Sequence, residues 1–415
     1  MTGAVRRHAL VLVVALVTAS VTAGTSALAA KAVKLAKKAK FAKNAGMLDG
    51  LDSTAFAKAG DLTWNNLSGI PAGFADGTDD TGSPGEPAWL LAGNAGTAPA
   101  GDFVGTTDNT TLNFRVNDQR AFRLQPDPTS PGVIGGFSGN SVSASGATIG
   151  GGGQAGSPNQ AIDDFGTVGG GSGNQAGHTV DDADYTTVGG GQNNSATNLH
   201  STVGGGVNNA ATGIQATIGG GQGNVASSAR ATVGGGDFNS ATGNTATIGG
   251  GLTNTASGTH ATVPGGVGAD ARLWGQLAHA SGTFSGPGDA QTSEYVLRET
   301  TTDSATPVEL RLDGGVISLS LDTGRRMTFE AFIVGGTAGG ETAGYTVTGL
   351  IERVGATTAL VGTPTVTILG EDDSSWTVAV TADNSTDSLD IAVTGDAADV
   401  TAWVAMVQTA EVDLA

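Results

Sequence analysis

A single β-branched aliphatic recurs through the middle of the chain at Ile149, Val168, Val188, Val203, Ile218, Val233, Ile248 and Val263. Each follows a threonine, and all but the last precede three glycines; the last continues Pro264-Gly265-Gly266. The steps between them are 19, 20 and then 15 residues five times over. Asparagine stands six places on, at Asn174, Asn194, Asn209, Asn224, Asn239 and Asn254, and alanine eight places on, from Ala176 to Ala271. A fixed period of this length predicts a stacked β array, or solenoid. Fifteen residues are too few for a helix, a strand and their turns, but they suit two short strands and two turns. Thr-Val and Thr-Ile favour extended backbone, with the aliphatic inward and threonine outward. The glycines permit left-handed backbone and close approach of neighbouring coils, and the asparagines are placed to form a ladder from copy to copy. Eight coils at about 4.8 Å each predict a rod roughly 38 Å long.

The flanks also read as β. Residues 89–91, 103–104, 111–116 and 121–124 are short strand candidates around Asp108-Asn109 and Asn117-Asp118 turns. After the repeat, apolar runs recur at 308–312, 316–319, 329–334, 345–351, 366–369, 376–380, 389–393 and 402–407. Turn signals such as Asp313-Gly314 and Asp383-Asn384 separate them, the pattern of a β-sandwich or jelly roll. Within the repeat, one aliphatic and one alanine per coil make a thin inner surface. It is too small to offset the ordering of fifteen residues at about 1–2 kcal/mol each, so several chains are expected to share one core.

With its aliphatic-Gly start, polar turn and small segment such as Ala241-Thr242-Gly243, the repeat resembles the head repeats of YadA-like trimeric autotransporter adhesins. That resemblance implies a homotrimer of parallel left-handed β-rolls around one axis. The chain departs from the family in its 15-residue period and triple glycine, and Val412-Asp413-Leu414-Ala415 shows no strand of the family's membrane anchor, so self-translocation is not expected. The flanks resemble modular fibre proteins of bacterial surfaces and phage tails. Leu48 to Phe56 is similar to their Leu-Asp-Gly-Leu-Asp-Ser connector, Trp89 to Leu124 to the segment before their head repeats, and the region from about Gly288 to a fibre-tip sandwich. The expected organisation is a signal peptide at 1–29, a connector with a short helix at 30–88, a β segment at 89–140, the β-roll at 141–287 and an all-β tip at 288–415.

Charge and composition narrow the partners. Glycine takes 69 of 415 positions, charged residues are 14%, and there is no cysteine, so neither disulfides nor thiolate metal sites hold the chain together. Eight of the 19 basic residues lie before Ala45, leaving 11 basic against 38 acidic side chains after it, a balance of −27. Such a body repels nucleic acid phosphates, and no nucleic acid partner is expected. Arg6 and Arg7, the apolar run Ala9 to Ala19 and Ala27-Leu28-Ala29 read as a cleaved secretory signal, with no membrane-spanning segment after it. The Lys31–Lys43 stretch has only a thin apolar face and reads as a solvated N-terminus rather than a tether to an anionic surface.

Catalytic motifs are sparse. No Gly-Lys-Ser/Thr follows the glycine-rich segments, and there is no Gly-x-Ser-x-Gly or His-Glu-x-x-His. The Asp-Thr-Gly triplets at 80–82 and 322–324 read as turns. The acidic clusters at 76–80 and 371–373 lack alternating calcium ligands. His200 and His260 share one register, three places before the aliphatic, with Phe165, Tyr185, Gln215, Arg230 and Thr245. That variety marks an exposed position rather than a metal site, so no cofactor or metal is expected. Tyr185, His200, Arg230 and His260 are the candidate binding register, and the loops 335–344, 371–375 and 383–388 are the competing and favoured surface. The sequence therefore predicts a secreted, extracellular homotrimeric fibre that binds cell-surface or glycan ligands without catalysis. A ligand-free spacer and a glycan hydrolase are the alternatives. Inside-outside alternation makes Ile218→Asp far more damaging than Thr217→Asp, because a buried unpaired carboxylate costs several kcal/mol; the melting temperatures of the two variants check this.

Overall fold

The computed structural model describes residues 95–98, 100–178, 183–302, 306–396 and 399–414, and the backbone of 47–48 and 51–52. The signal, the basic stretch, residues 76–80, the 80–82 triplet and the strand candidate at 89–91 lie outside them. The chain divides into two units, Met1–Val104 and Gly105–Ala415. In the first, Met47–Leu48 pairs antiparallel with Leu51–Asp52, within the connector motif.

The second unit is all-β: a solenoid of about ten turns followed by two sheets. Each Thr-Val or Thr-Ile pair stacks in register on the next, as Thr217-Ile218 does on Thr232-Val233. The small second strands stack likewise, Val225-Ala226 on Ser240-Ala241. The array begins a coil earlier than the repeat pattern indicates. Gly132–Gly135 pairs in parallel with Thr148–Ile149, and Ser141–Val142 with Gln160–Ala161. A hairpin of Leu112–Val116 and Gln119–Gln125 leads into it, whereas Phe103-Val104 is not a strand. The first long spacing is absorbed outside the ladder, where Gln154 and Ser157 bridge antiparallel.

All eight aliphatics, Ile149 to Val263, are fully buried, as are the alanines eight places on. The expectation of a core shared between chains is corrected by what else fills the lumen. The asparagine and a second small residue thirteen places on, for example Asn224 and Ala231 after Ile218, are also fully buried within one chain. Four inward residues per rung close the tube, so its core needs no partner.

The asparagines carry the polar part of that core. Asn224 donates through Nδ2 to the carbonyls of Gly220 in its own rung (2.9 Å) and Gly236 in the next (2.6 Å). Its Oδ1 accepts the backbone N–H of Asn239 at 2.9 Å. The same bonding runs from Asn140 and Asn159 to Asn254. The glycines make room for it. A Cβ on Gly219 would overlap the carbonyl of Gly234, and Gly221, at φ +90°, would overlap Gly236. The middle glycine, Gly220, faces open space.

The final solenoid strand, Leu277–Ser281, pairs in parallel with Thr262–Val263 and antiparallel with Ala290–Thr301, so the rod runs directly into the C-terminal sheet. That sheet continues through Thr401–Asp413, Arg325–Thr337 and Thr342–Val354 to Thr365–Glu371 and Thr357–Leu360. A smaller sheet of Val308–Glu309, Leu319–Ser320, Thr377–Asp383 and Ser388–Thr394 lies against its inner face. Between them Trp376 packs edge-on to Trp403 at 5.5 Å, among Leu297, Phe329, Ile333, Val347 and Ile391.

Two substitutions test the rung. Gly219→Ala should destabilise by about 1–3 kcal/mol through overpacking, while Gly220→Ala should leave the midpoint nearly unchanged; denaturant unfolding of both variants reads the difference. Asn224→Ala strands the Gly220 and Gly236 carbonyls and the Asn239 N–H, and at about 1–3 kcal/mol for each buried unsatisfied group it should be the worst of the three.

Candidate ligand-binding surface

The turn leading back into each Thr-Val strand holds one residue in left-handed backbone. Phe165, Tyr185, His200, Gln215, Arg230, Thr245 and His260 all have φ between +56° and +60°, and Gly146 and Gly275 take the same place at the two ends. Contact between rungs dictates this conformation, because the amide there donates to the rung before: Arg230 N to Ile214 O at 2.8 Å, His260 N to Asn244 O at 2.9 Å. The side chains point out and touch one another in sequence. Phe165 and Tyr185 stack at 5.1 Å, Tyr185 and His200 at 5.2 Å, and Arg230 Nε donates to Gln215 Oε1 at 3.1 Å. Thr245 Oγ1 is hydrogen-bonded to His260 Nδ1, and the His260 ring meets Trp274 edge-on at 4.9 Å. Phe165 lies over Gly146, where a Cβ would strike its ring. Tyr185, His200, Arg230 and His260 thus share one side of the rod, in three touching groups: the rings of Phe165, Tyr185 and His200, the pair Gln215–Arg230, and Thr245, His260 and Trp274. Among the described residues no group of three His, Asp, Glu or Cys side chains is placed to hold a metal ion.

An open cleft of about 490 Å³ lies where the rod meets the sheet, lined in part by His279, Phe284, Gln291, Thr292 and Glu411. Glu411 is buried and accepts hydrogen bonds from Arg325, from Gln291 and Tyr295 at 3.1 Å each, and from Thr409 at 2.6 Å. Burial would push its carboxyl up, but the Arg325 guanidinium and then the bonds from Thr409, Ser293 and Gln291 outweigh that and hold it below the usual carboxylate range. Burial, then the Glu411 charge, pushes the Tyr295 hydroxyl far up. Arg325 also faces Asp413 at 3.5 Å and Asp322 at 3.8 Å, and Asp322 pairs with Arg272 of the last solenoid turn. The 322–324 triplet is therefore a turn in a structural ion network: Arg325 N donates to Asp322 O, and Gly324 N to Arg353 O.

Among the described residues the structure brings together two carboxylate pairs that spacing did not reveal, the exposed Glu341 with Asp396 and the half-buried Glu309 with Asp390. Glu309 and Asp390, on neighbouring strands of the small sheet, interact directly, with Arg311 on the other side of Glu309. Burial, then the hydrogen bond and charge of Asp390, push the Glu309 carboxyl up to about 7. The favoured loops are smaller than expected. Gly335–Thr337 and Thr342–Gly344 are strand, and 371–375 and 383–388 are tight turns closed by Asp373 Oδ1 on Ser375 N and Asp383 Oδ1 on Ser385 N. Asp372 Oδ2 accepts from Thr342 N. These acidic groups cap turns.

Fold and surface together define a fibre-like β-solenoid protein with a C-terminal β head. No family model and no curated protein matches the chain. Two solved structures are similar to it: the tailspike protein gp49 of Acinetobacter baumannii bacteriophage Fri1, a capsular polysaccharide depolymerase (10% identity, TM-score 0.20), and the tailspike of Acinetobacter phage vB_ApiP_P1 (9% identity, TM-score 0.18). The matches cover 65% of this chain and 57% and 56% of theirs, so the chain spans little more than half of either tailspike. Such scores carry neither protein's activity nor its substrate to this chain. The expectation of a binder without catalysis is withdrawn, one of the two similar structures being a depolymerase.

Two predictions follow from the charged groups. Arg325→Met leaves Glu411 buried without its countercharge and should cost about 3–5 kcal/mol at pH 7. Because the Glu411 pKa is depressed, the pair stabilises above the ordinary carboxylate range and is lost as pH falls through the folded value. The deficit of the variant should therefore shrink in unfolding experiments at acid pH. Glu309 has the opposite sign: its contribution is full below its unfolded pKa and is lost as pH rises through about 7. Asp390→Asn should lower the Glu309 pKa and flatten that slope, read by NMR titration of the carboxyl carbon.

Proposed function

We propose that the chain is a fibre-type protein of a cell or virion surface, outside the cell, whose solenoid shaft supports the C-terminal head and presents the ladder from Phe165 to Trp274 to surface glycans. The observation that carries this is the unbroken occupancy of this left-handed register; a second, at Asn193, Asn208, Phe238 and Thr253, is interrupted by Gly223 and Gly268. Non-glycine residues in such backbone cost on the order of 1–3 kcal/mol each, yet seven successive rungs, Phe165 to His260, hold them, with Tyr185 half-exposed. Between Thr187 and Ala269 the only Asp, Glu, Lys or Arg residues are Arg230 and Asp237. From His200 to His260 the track is a line of ring edges, hydroxyls and amides with Arg230 its one charged member, and Asp164 and Asp184 stand beside its first two rings; it repeats every ~4.8 Å, close to the length of one pyranose ring. That chemistry suits sugar hydroxyls. The signal peptide at 1–29 and the connector at 30–88 belong to the same proposal. So does the homotrimer implied by the head-repeat resemblance, in which three closed tubes would meet through outer faces.

A second reading is a glycan-cleaving fibre, for which the Glu309–Asp390 pair is the acid–base candidate because one of its carboxyls is pushed up, although the two are in direct contact and glycosidase carboxyls stand about 5 Å or more apart. A glycan array with the wild type and with the triple variant Tyr185→Ala, His200→Ala, Arg230→Ala tests the ladder. The expected result is glycan binding that the triple variant weakens at least tenfold. Unchanged affinity in the variant would remove the ladder from the proposal, and no binding by either protein would leave only a spacer. Release of reducing ends from a bound polysaccharide, abolished by Glu309→Gln, would establish the cleaving reading.

A further inference from the structure

The larger C-terminal sheet ends on a strand that nothing covers. Thr365–Glu371 pairs with Thr342–Val354 along one edge, and among the described residues no strand pairs with the other. Every position from Thr365 to Gly370 is exposed, including Val366, Ile368 and Leu369 at 42%, 54% and 66%. A free edge is a row of unpaired N–H and C=O groups, which proteins ordinarily guard with charge, proline within the strand or a bulge. Here the run from Val354 to Gly370 contains no charged residue, and the only irregularity is the register shift at Leu369. The opposite side of the sheet is closed: Ala290–Thr301 carries Leu277–Ser281 at one end, and Arg298 bridges to Arg311 further on.

We infer that the Thr365–Ile368 edge pairs antiparallel with the same edge of a second copy of this chain, across a two-fold axis at Thr367. Unpaired backbone groups call for another strand, and the properties of this one favour its own copy. In that register Val366 of each copy lies opposite Ile368 of the other, and Thr367 opposite itself, so the contact is self-complementary. Val366 and Ile368 stand opposite Val347 and Tyr345, whose side chains belong to the buried core. The four paired aliphatics therefore carry that core across from one protomer to the other. Charge argues the same way. The chain beyond Ala45 has a balance of −27, so two copies repel over most of their surface, and they approach most easily at a segment with no charge.

The test is the native mass of the full chain at micromolar concentration, by sedimentation velocity, for the wild type, for Val366→Lys/Ile368→Lys and for the control Val316→Lys, which alters an exposed residue elsewhere. The wild type and control should have twice the mass of the double variant, with unchanged near-ultraviolet circular dichroism. Of the amides at residues 366–368, those that point away from Thr342–Val354 should exchange slowly in the wild type and fast in the double variant, while those bonded to that strand stay slow in both. Equal masses for wild type and double variant, or rapid exchange of the outward-pointing amides in the wild type, would overturn the pairing. The exchange measurement on the wild type decides the matter alone if the double variant fails to fold. Glycan binding is read separately on the array, so failure of one proposal leaves the other standing.

Discussion

One buried amide per rung sets the terms for the whole solenoid. The lumen is otherwise mostly aliphatic and alanine, with Thr186 and Ser201 on single rungs, a medium in which an unbonded amide costs several kcal/mol, so each asparagine needs its partners on every rung. It finds them only if the glycine carbonyls of two successive rungs and one backbone N–H of the next lie at fixed positions around it. That requirement sets the stacking register. It also explains the glycines, because the carbonyls come within reach only where the first and third positions of the triplet carry no side chain. Much of the glycine in the composition is thus a consequence of the asparagine.

The same tight stacking fixes the other turn. Its amide must reach back to the preceding rung, which forces left-handed backbone whether or not glycine is present. Side chains at that register are held in a row by geometry they did not choose, and they relieve part of the strain by touching one another. At the far end the row and the lumen stop together. The last rung becomes an outer strand of the head, where Arg325 and Glu411 form a buried pair and the half-exposed Asp322 links Arg325 to Arg272 of the rod. Breaking the buried pair leaves a charge unpaired, whereas the link through Asp322 is open to solvent.

Much of this was legible in the residues. The Thr-aliphatic-glycine period marks the rungs, and the regular asparagine marks the ladder, because both are local and repeated. The first coil was hidden because Val133-Ile134 is followed by two glycines and then phenylalanine, while Asn159 was displaced from its place by the hairpin at 154–157. The closure of the tube by a single chain was misjudged because the residue two places before each aliphatic changes among alanine, glycine, threonine and serine, yet each is small enough to turn inward. Ala290–Thr301 was missed because its inner face begins with Gln291 and Ser293, polar residues buried by the junction network rather than by apolar packing. No local pattern could have joined Glu309 to Asp390, since only the small sheet brings their strands side by side.

The direction of the inter-rung hydrogen bonds gives the shaft a particular response to force. They run along the rod, from each coil to the next, so tension between its ends stretches them lengthwise and in series. Every interface between rungs then bears the same full load, and the weakest one yields first. Each coil that peels away frees fifteen residues, up to about 50 Å of extended chain, while those still stacked keep their asparagine ladder intact. A rod built this way lengthens in steps under a pull and dissipates work at each one, as a tether exposed to shear would need to do.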